Sequence, residues 1–194
     1  MRILMTGFEP FGGERINPSW EAVSLLPDEI GGAQVSKRRL PVTYAGSEAA
    51  LWRLMDELRP DFAIATGQAG GRSAISVECC AINMDHADVP DNAGETRRYL
   101  PIAPSGAAAY FTSAPVQRIV DAVCAENLRC APSFSAGTYV CNHVYYRILE
   151  STGRGLFVHV PFLPAQVSGG DRPSMELSDI ARALAIIARM IAEG

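Results

Sequence analysis

The chain lacks any apolar run approaching the roughly 18–20 residues that cross a bilayer, so no membrane-spanning helix is expected. It also lacks lysine or arginine runs interleaved with aromatics, which argues against a nucleic-acid partner. Its net charge of −4 implies little beyond solubility. Histidine is scarce, at three residues, and the five cysteines form no framework. Cys79 and Cys80 are adjacent, while Cys124 and Cys130 lie far off, so neither a disulfide scaffold nor a zinc pattern emerges. The opening "MRILMTGFEPFGG" has no apolar region or cleavage site of a signal peptide. Repeats, linkers and low-complexity tracts are missing. These absences predict a soluble cytoplasmic protein with free thiols. The 48% apolar content over 194 residues suits one compact domain.

What is present alternates between strands and helices. "RILMTGF" (2–8), "VSKRRLPVTY" (35–44), "DFAIATGQ" (61–68), "SAISVECCAIN" (73–83) and "LFVHV" (156–160) read as strands. On 73–83, Ile75, Val77, Cys79 and Ala81 share one face, and Ser76, Glu78, Cys80 and Ile82 the other. Helical spacing marks the stretches after Asn17-Pro18 and Ser47, then 114–128 and 178–194, with Asn17, Ser47 and Ser178 as expected caps. Pro41 signals a strand end or edge. The pattern predicts an α/β protein: a single three-layer α/β/α domain, residues 1–194, around a central, largely parallel (mixed) twisted sheet. In such folds reactive groups collect at the carboxyl ends of strands.

The segment "GTYVCNHVYYR" (137–147) places Cys141 in the first turn of a helix. Unpaired N–H groups there favour a thiolate and an oxyanion. A small buried thiol is the plain alternative. A cysteine nucleophile needs a base. His143 lies about 200° around the helix from Cys141 and reads as a surface or packing residue. His86 has no spacing argument. His159 sits in a short apolar strand on the face of Phe157, as a core residue or as a rigidly held base. Glu78, opposite Ile75 and Val77, is a candidate to orient the imidazole, and a pairing with Arg72 or Arg147 is its plain alternative. "TGFEPFGG" (6–13) offers Phe8 and Phe11 as packing groups or as an apolar wall. Neither it nor "GQAGG" (67–71) fits a nucleotide fingerprint.

Five pieces in order, "TGFEPFGG…NPS", "GQAGGR…ISVE…AIN", "PDNAG", "AGTYVCNHVYY" and "FVHVPFLPAQ", together resemble the pyroglutamyl peptidase I family across nearly the whole chain. The resemblance implies a cysteine exopeptidase that removes N-terminal pyroglutamate from peptides. It places the family's Cys-His-Glu triad on Cys141, His159 and Glu78. It places the aromatic clamp on Phe8 and Phe11, and further pocket contacts on Gln68, Val89, Tyr139 and Val140. It implies one α/β/α domain, a homotetramer, and no metal or organic cofactor.

Two positions depart from the family pattern: Asp88, where arginine is usual, and Cys79, where arginine often follows the triad glutamate. An aspartate near a thiolate would raise its pKa. It motivates a rival reading, a catalytically weak relative that binds N-terminally cyclised peptides. A cysteine amidohydrolase with a different acyl pocket is the third.

Overall fold

The computed structural model describes residues 1–167 and 171–194. Its elements run β1 (Arg2–Phe8), α1 (Pro18–Ser24), β2 (Glu29–Ile30), β3 (Ala33–Leu40), α2 (Tyr44–Leu58), β4 (Phe62–Gln68), β5 (Ile75–Glu78) and β6 (Cys80–Ile82). They continue with β7 (Ala109–Phe111), α3 (Val116–Ala125), β8 (Cys130–Ser133), α4 (Val140–Thr152), β9 (Gly155–Val160) and α5 (Leu177–Ala192). Seven strands form one sheet in the order β2-β3-β1-β4-β9-β5-β8. The sheet is mostly parallel. Only β2 against β3 and β5 against β9 run antiparallel.

The period of two along each strand sorts side chains into two cores. Ile3, Met5, Ile64, Val77 and Val158 pack under α1, α3 and α5. Leu4, Ala63, Ala65 and Phe157 pack under α2 and α4. The stripe Ile180, Leu184, Ile187 and Ile191 of α5 is buried as its spacing predicts. Each such side chain contributes roughly 1.5–3 kcal/mol.

Asn17 caps α1 as expected, its Oδ1 accepting from Ser19 N at 3.1 Å. Two other caps differ. Thr43 precedes α2, so Ser47 lies inside it and donates to Tyr44 O. Glu176 precedes α5, so Ser178 falls within that helix. Pro41 follows the end of β3, and β2 pairs only with Ala33 and Gln34, so the Pro41 end of β3 lies at the sheet edge as expected.

The stretch 73–83 is not one strand. After Glu78 the chain leaves the main sheet, and Cys80–Ile82 pairs with Ala109–Phe111. Ala81 therefore packs in the α2/α4 core, opposite to the predicted face. The alternation of small apolar residues runs through the bend and hides it. Strand β8 has no sequence expectation behind it. It is short, contains Pro132, and sits on the sheet edge, where a missing N–H is tolerated.

Candidate active site

Strand parity aims the key residues at one helix. Ala63 and Ala65 of β4 face the α2/α4 layer, so Gly67 does too. Phe157 of β9 faces it, which turns His159 the same way. Ile75 and Val77 of β5 face the other core, which turns Glu78 towards α4. Gly67 stands opposite His159 in the β4–β9 register. A side-chain carbon built on Gly67 would lie 2.8 Å from Cys141 Sγ and 2.9 Å from Phe157 Cζ. The sulfur thus rests on the strand position beside His159, and glycine alone leaves room for it.

Cys141 occupies the second position of α4, after the N-cap residue Tyr139. The first backbone bond of the helix runs from His143 N to Tyr139 O at 3.1 Å. The N–H of Cys141 therefore precedes the helical ladder and is available to an oxyanion. Glu78 is diagonal to His159 across the antiparallel β5–β9 pair, a spacing that long side chains can bridge. His159 Nδ1 lies 2.7 Å from Glu78 Oε1. Arg72 Nη1 donates to the same oxygen at 2.7 Å, and its Nη2 donates to Ser135 O at 3.2 Å. The carboxylate is fully buried, and its Oε2 has no partner among the described residues. The choice between His159 and Arg72 as partner of Glu78 resolves as both at once.

The charges bias each group. Burial works to raise the Glu78 pKa, but the bond and charge of His159, with Ser133 and Arg72, hold it below the usual carboxylate range. Burial lowers the His159 pKa, Glu78 opposes that, and Arg72 adds to the lowering. Burial pushes the Cys141 thiol up, Glu78 pushes it further, and Arg72 and its own backbone N–H pull it back, leaving it at about 12. The helix-start expectation of an acidic thiol is corrected on this point. Its own backbone N–H and Arg72 do favour the thiolate, but burial beside a carboxylate exceeds them. These directions favour a neutral thiol on Cys141 and a neutral imidazole on His159 at rest.

A narrow cleft with a free volume of about 10 Å³ lies at Cys141, lined by Phe8, Phe11, Gln68, Tyr139 and Val140. Asn17 and Val42 complete its wall. Phe11 and Tyr139 pack with ring centroids 6.3 Å apart. A larger opening of about 570 Å³ lies at the far ends of β1 and β4, near Met1, Asp61 and Gly194. It contains none of the groups above.

Val89 alone among the expected pocket residues stands away. It is 60% exposed and does not line the cleft, although its neighbour Pro90 accepts a bond from Tyr139 Oη at 3.0 Å. Asp88 is exposed and paired with Arg98 at 2.9 Å. The charges acting on Cys141 come from Glu78 and Arg72, not Asp88. The rival reading built on Asp88 therefore loses its motive. His143 does face away from the sulfur, but it is buried rather than on the surface. Its Nδ1 lies 2.9 Å from Asp85 Oδ2 and its Nε2 lies 3.0 Å from Glu48 Oε2. His86 stacks on Tyr99.

Several supporting residues carry no sequence expectation beyond a cap or a turn. Asn17 Nδ2 donates to Glu9 O at 2.8 Å, and Asn92 Nδ2 donates to Glu9 Oε1 and Pro10 O, both at 2.9 Å. Together they fasten the loop that carries Phe11. Asp91 accepts from Tyr44 N at 3.0 Å, tying the same turn to α2. The dipeptide Asp91-Asn92 in "PDNAG" was the available signal. It marks a turn, but its distant partners are not legible locally. Among the described residues no group of three or more metal-ligating side chains comes together, and no helix is long and apolar enough to cross a membrane.

The pyroglutamyl peptidase family model matches residues 1–194. The chain belongs to that family. A pyrrolidone-carboxylate peptidase of Thermococcus onnurineus is 47% identical, with 96% of each chain covered. One from Chromobacterium violaceum is 49% identical over 94% of this chain and 88% of its own. The crystal structure of pyroglutamyl peptidase I from Bacillus amyloliquefaciens superposes with a TM-score of 0.95 at 40% identity, covering 100% of this chain and 97% of that one. The chain is thus a cysteine peptidase of the pyroglutamyl peptidase type, with the mixed, mostly parallel α/β sheet of that family.

Proposed function

We propose that residues 1–194 act as one catalytic domain that removes N-terminal pyroglutamate through Cys141, His159 and Glu78. The observation that carries this reading is the convergence of three distant residues on one face of the sheet. Cys141 Sγ abuts Gly67, Gly67 registers with His159, and His159 Nδ1 meets Glu78 Oε1 at 2.7 Å.

Because Glu78 holds Nδ1, the free nitrogen of His159 is Nε2, and its lowered pKa keeps it unprotonated. His159 Nε2 takes the thiol proton as Cys141 Sγ bonds to the pyroglutamyl carbonyl carbon. The proton moves with the attack because the resting thiol is neutral. Glu78 stabilises the imidazolium that forms. The Cys141 N–H holds the oxyanion. The imidazolium then protonates the leaving amine as the C–N bond breaks. Water, deprotonated by the same nitrogen, attacks the thioester and releases pyroglutamate and the thiol.

Phe8, Phe11 and Tyr139 form an apolar wall suited to an uncharged lactam. A free N-terminal glutamine would carry an ammonium group into that wall and lose its hydration. Val89 fits this role only if the peptide leads past the cleft rim, since its side chain lies outside. The test is turnover of pyroglutamyl-aminomethylcoumarin. Wild type is expected to release the fluorophore and Cys141→Ala to release none above background. Equal rates for the two would end this reading.

A further inference from the structure

The wall of the cleft at Gln68 is held by a residue outside it. Gln68, the last residue of β4, lines the cleft beside Cys141 and is buried. Its Oε1 accepts from Gln166 Nε2 at 2.9 Å. Gln166 ends a short 3-10 turn, Pro164–Gln166. Its Oε1 accepts from Leu163 N at 3.0 Å, and its Nε2 also donates to Glu14 Oε2 at 3.2 Å.

These contacts admit one orientation. A backbone N–H only donates, so the Gln166 atom facing Leu163 N must be oxygen. A carboxylate only accepts, so the atom facing Glu14 must be the amide nitrogen. Turning the Gln166 amide over would set donor against donor at Leu163 and acceptor against acceptor at Glu14. With Nε2 of Gln166 fixed, the Gln68 atom that meets it must be oxygen. Gln68 Nε2 is then the end left over. Among the described residues it donates to no protein acceptor, and the residue that carries it lines the cleft.

We infer that Gln166 is a specificity-positioning residue: it fixes the polarity of the Gln68 amide so that the cleft offers an N–H donor to the ring carbonyl of the substrate. This deepens the peptidase reading above and rests on it. A pyroglutamyl ring supplies an acceptor there. A prolyl ring, which has no ring carbonyl, leaves the Gln68 donor unpaired. Glu14 belongs to the loop that carries Phe11, so the same amide also ties Gln68 to the aromatic wall.

Gln166→Glu and Gln166→Met separate polarity from packing. Glutamate, introduced together with Glu14→Gln so that two carboxylates do not face each other, keeps an acceptor for Leu163 N but can only accept from Gln68, which must turn its carbonyl into the cleft. Methionine keeps the length and merely releases Gln68. Kinetics with pyroglutamyl-aminomethylcoumarin should show KM raised ~10- to 100-fold in Gln166→Glu, with kcat within about threefold of wild type. Gln166→Met should show a smaller rise. Calorimetry with 2-pyrrolidinone should show the same order of affinity, wild type above Gln166→Met above Gln166→Glu. Unchanged KM and lactam affinity in Gln166→Glu, or losses in Gln166→Met as large as in Gln166→Glu, would overturn the positioning role while leaving the peptidase reading intact. Lactam binding in the predicted order by a wild type without turnover would support the positioning role and end the peptidase reading. Neither turnover nor lactam binding in wild type would end both.

Discussion

At the residue scale, the cysteine is prepared by its neighbours rather than by its own acidity. Cys141 sits at a helix start, which favours a thiolate, yet it is buried near Glu78, which disfavours one more strongly. The chemistry then falls to His159 as a base that is neutral at rest. Its pKa lies below the ordinary 6.5, so the acid limb of kcat/KM is expected to have its midpoint below pH 6.5. A midpoint above that value would contradict the account. Glu78→Gln keeps the size of the side chain but removes the charge that steadies the imidazolium. It is expected to lower kcat about a thousandfold or more. Asp88→Arg should leave the pH–rate curve where it is, because Asp88 is solvent-exposed and paired with Arg98. A shifted curve would restore Asp88 to the site. Arg72→Met removes one of two donors to a buried carboxylate. A loss of roughly 1.5–3 kcal/mol in chemical denaturation is expected, together with lower activity.

At the scale of elements, the start of α4 is held by the two residues after the nucleophile. Asn142 accepts from Ile82 N at 3.0 Å and donates to Ile82 O and Met84 O at 2.9 and 3.0 Å, fixing the helix to β6. His143 joins Asp85 to Glu48 of α2, and Arg97 also reaches Asp85 at 2.8 Å. Breaking such a buried group by His143→Leu is expected to cost about 3–5 kcal/mol. A melting temperature within one degree of wild type would count against that placement. Much of this architecture was legible. Apolar runs marked β1, β4 and β9, and period-two parity set His159 with Phe157 and Glu78 opposite Ile75 and Val77, while the common face of the two strands came only from the packing. The bend after Glu78 was hidden because Cys79, Cys80 and Ala81 suit a continuing strand equally well. Arg72, Asn92 and Gln166 were not legible as supports. Their partners are set by the tertiary fold, and a polar residue in a loop has no local signature of what it will meet. The Ser47 and Ser178 caps failed for a related reason: a good capping residue lay within one turn of the actual start, and packing chose the boundary.

At the scale of the whole molecule, the same pKa shifts shape the dependence of stability on pH. Glu78 stays ionised below its ordinary 4.5 and His159 stays neutral below its ordinary 6.5. In acid the unfolded chain therefore binds more protons than the folded one, and stability falls as pH drops through 6.5 and further through 4.5. Cys141 and Cys130 stay protonated above their ordinary 9.0, each raised to about 12 by burial first. Unfolded thiols ionise earlier, so stability falls again as pH rises past 9. Melting temperature is expected to be highest between these limits, and a maximum below pH 5 would reverse the sign of the argument.

The convergence of Cys141, His159 and Glu78 has one direct chemical consequence, an acyl group carried on a single sulfur. Acid quenching during turnover of a pyroglutamyl peptide, followed by mass spectrometry of the digest, reads it. The account predicts one pyroglutamyl group, labile to hydroxylamine, on the peptide containing Cys141 and on no other, absent from Cys141→Ala. Turnover that persists in Cys141→Ala, or an acyl group found on a different residue, would contradict it.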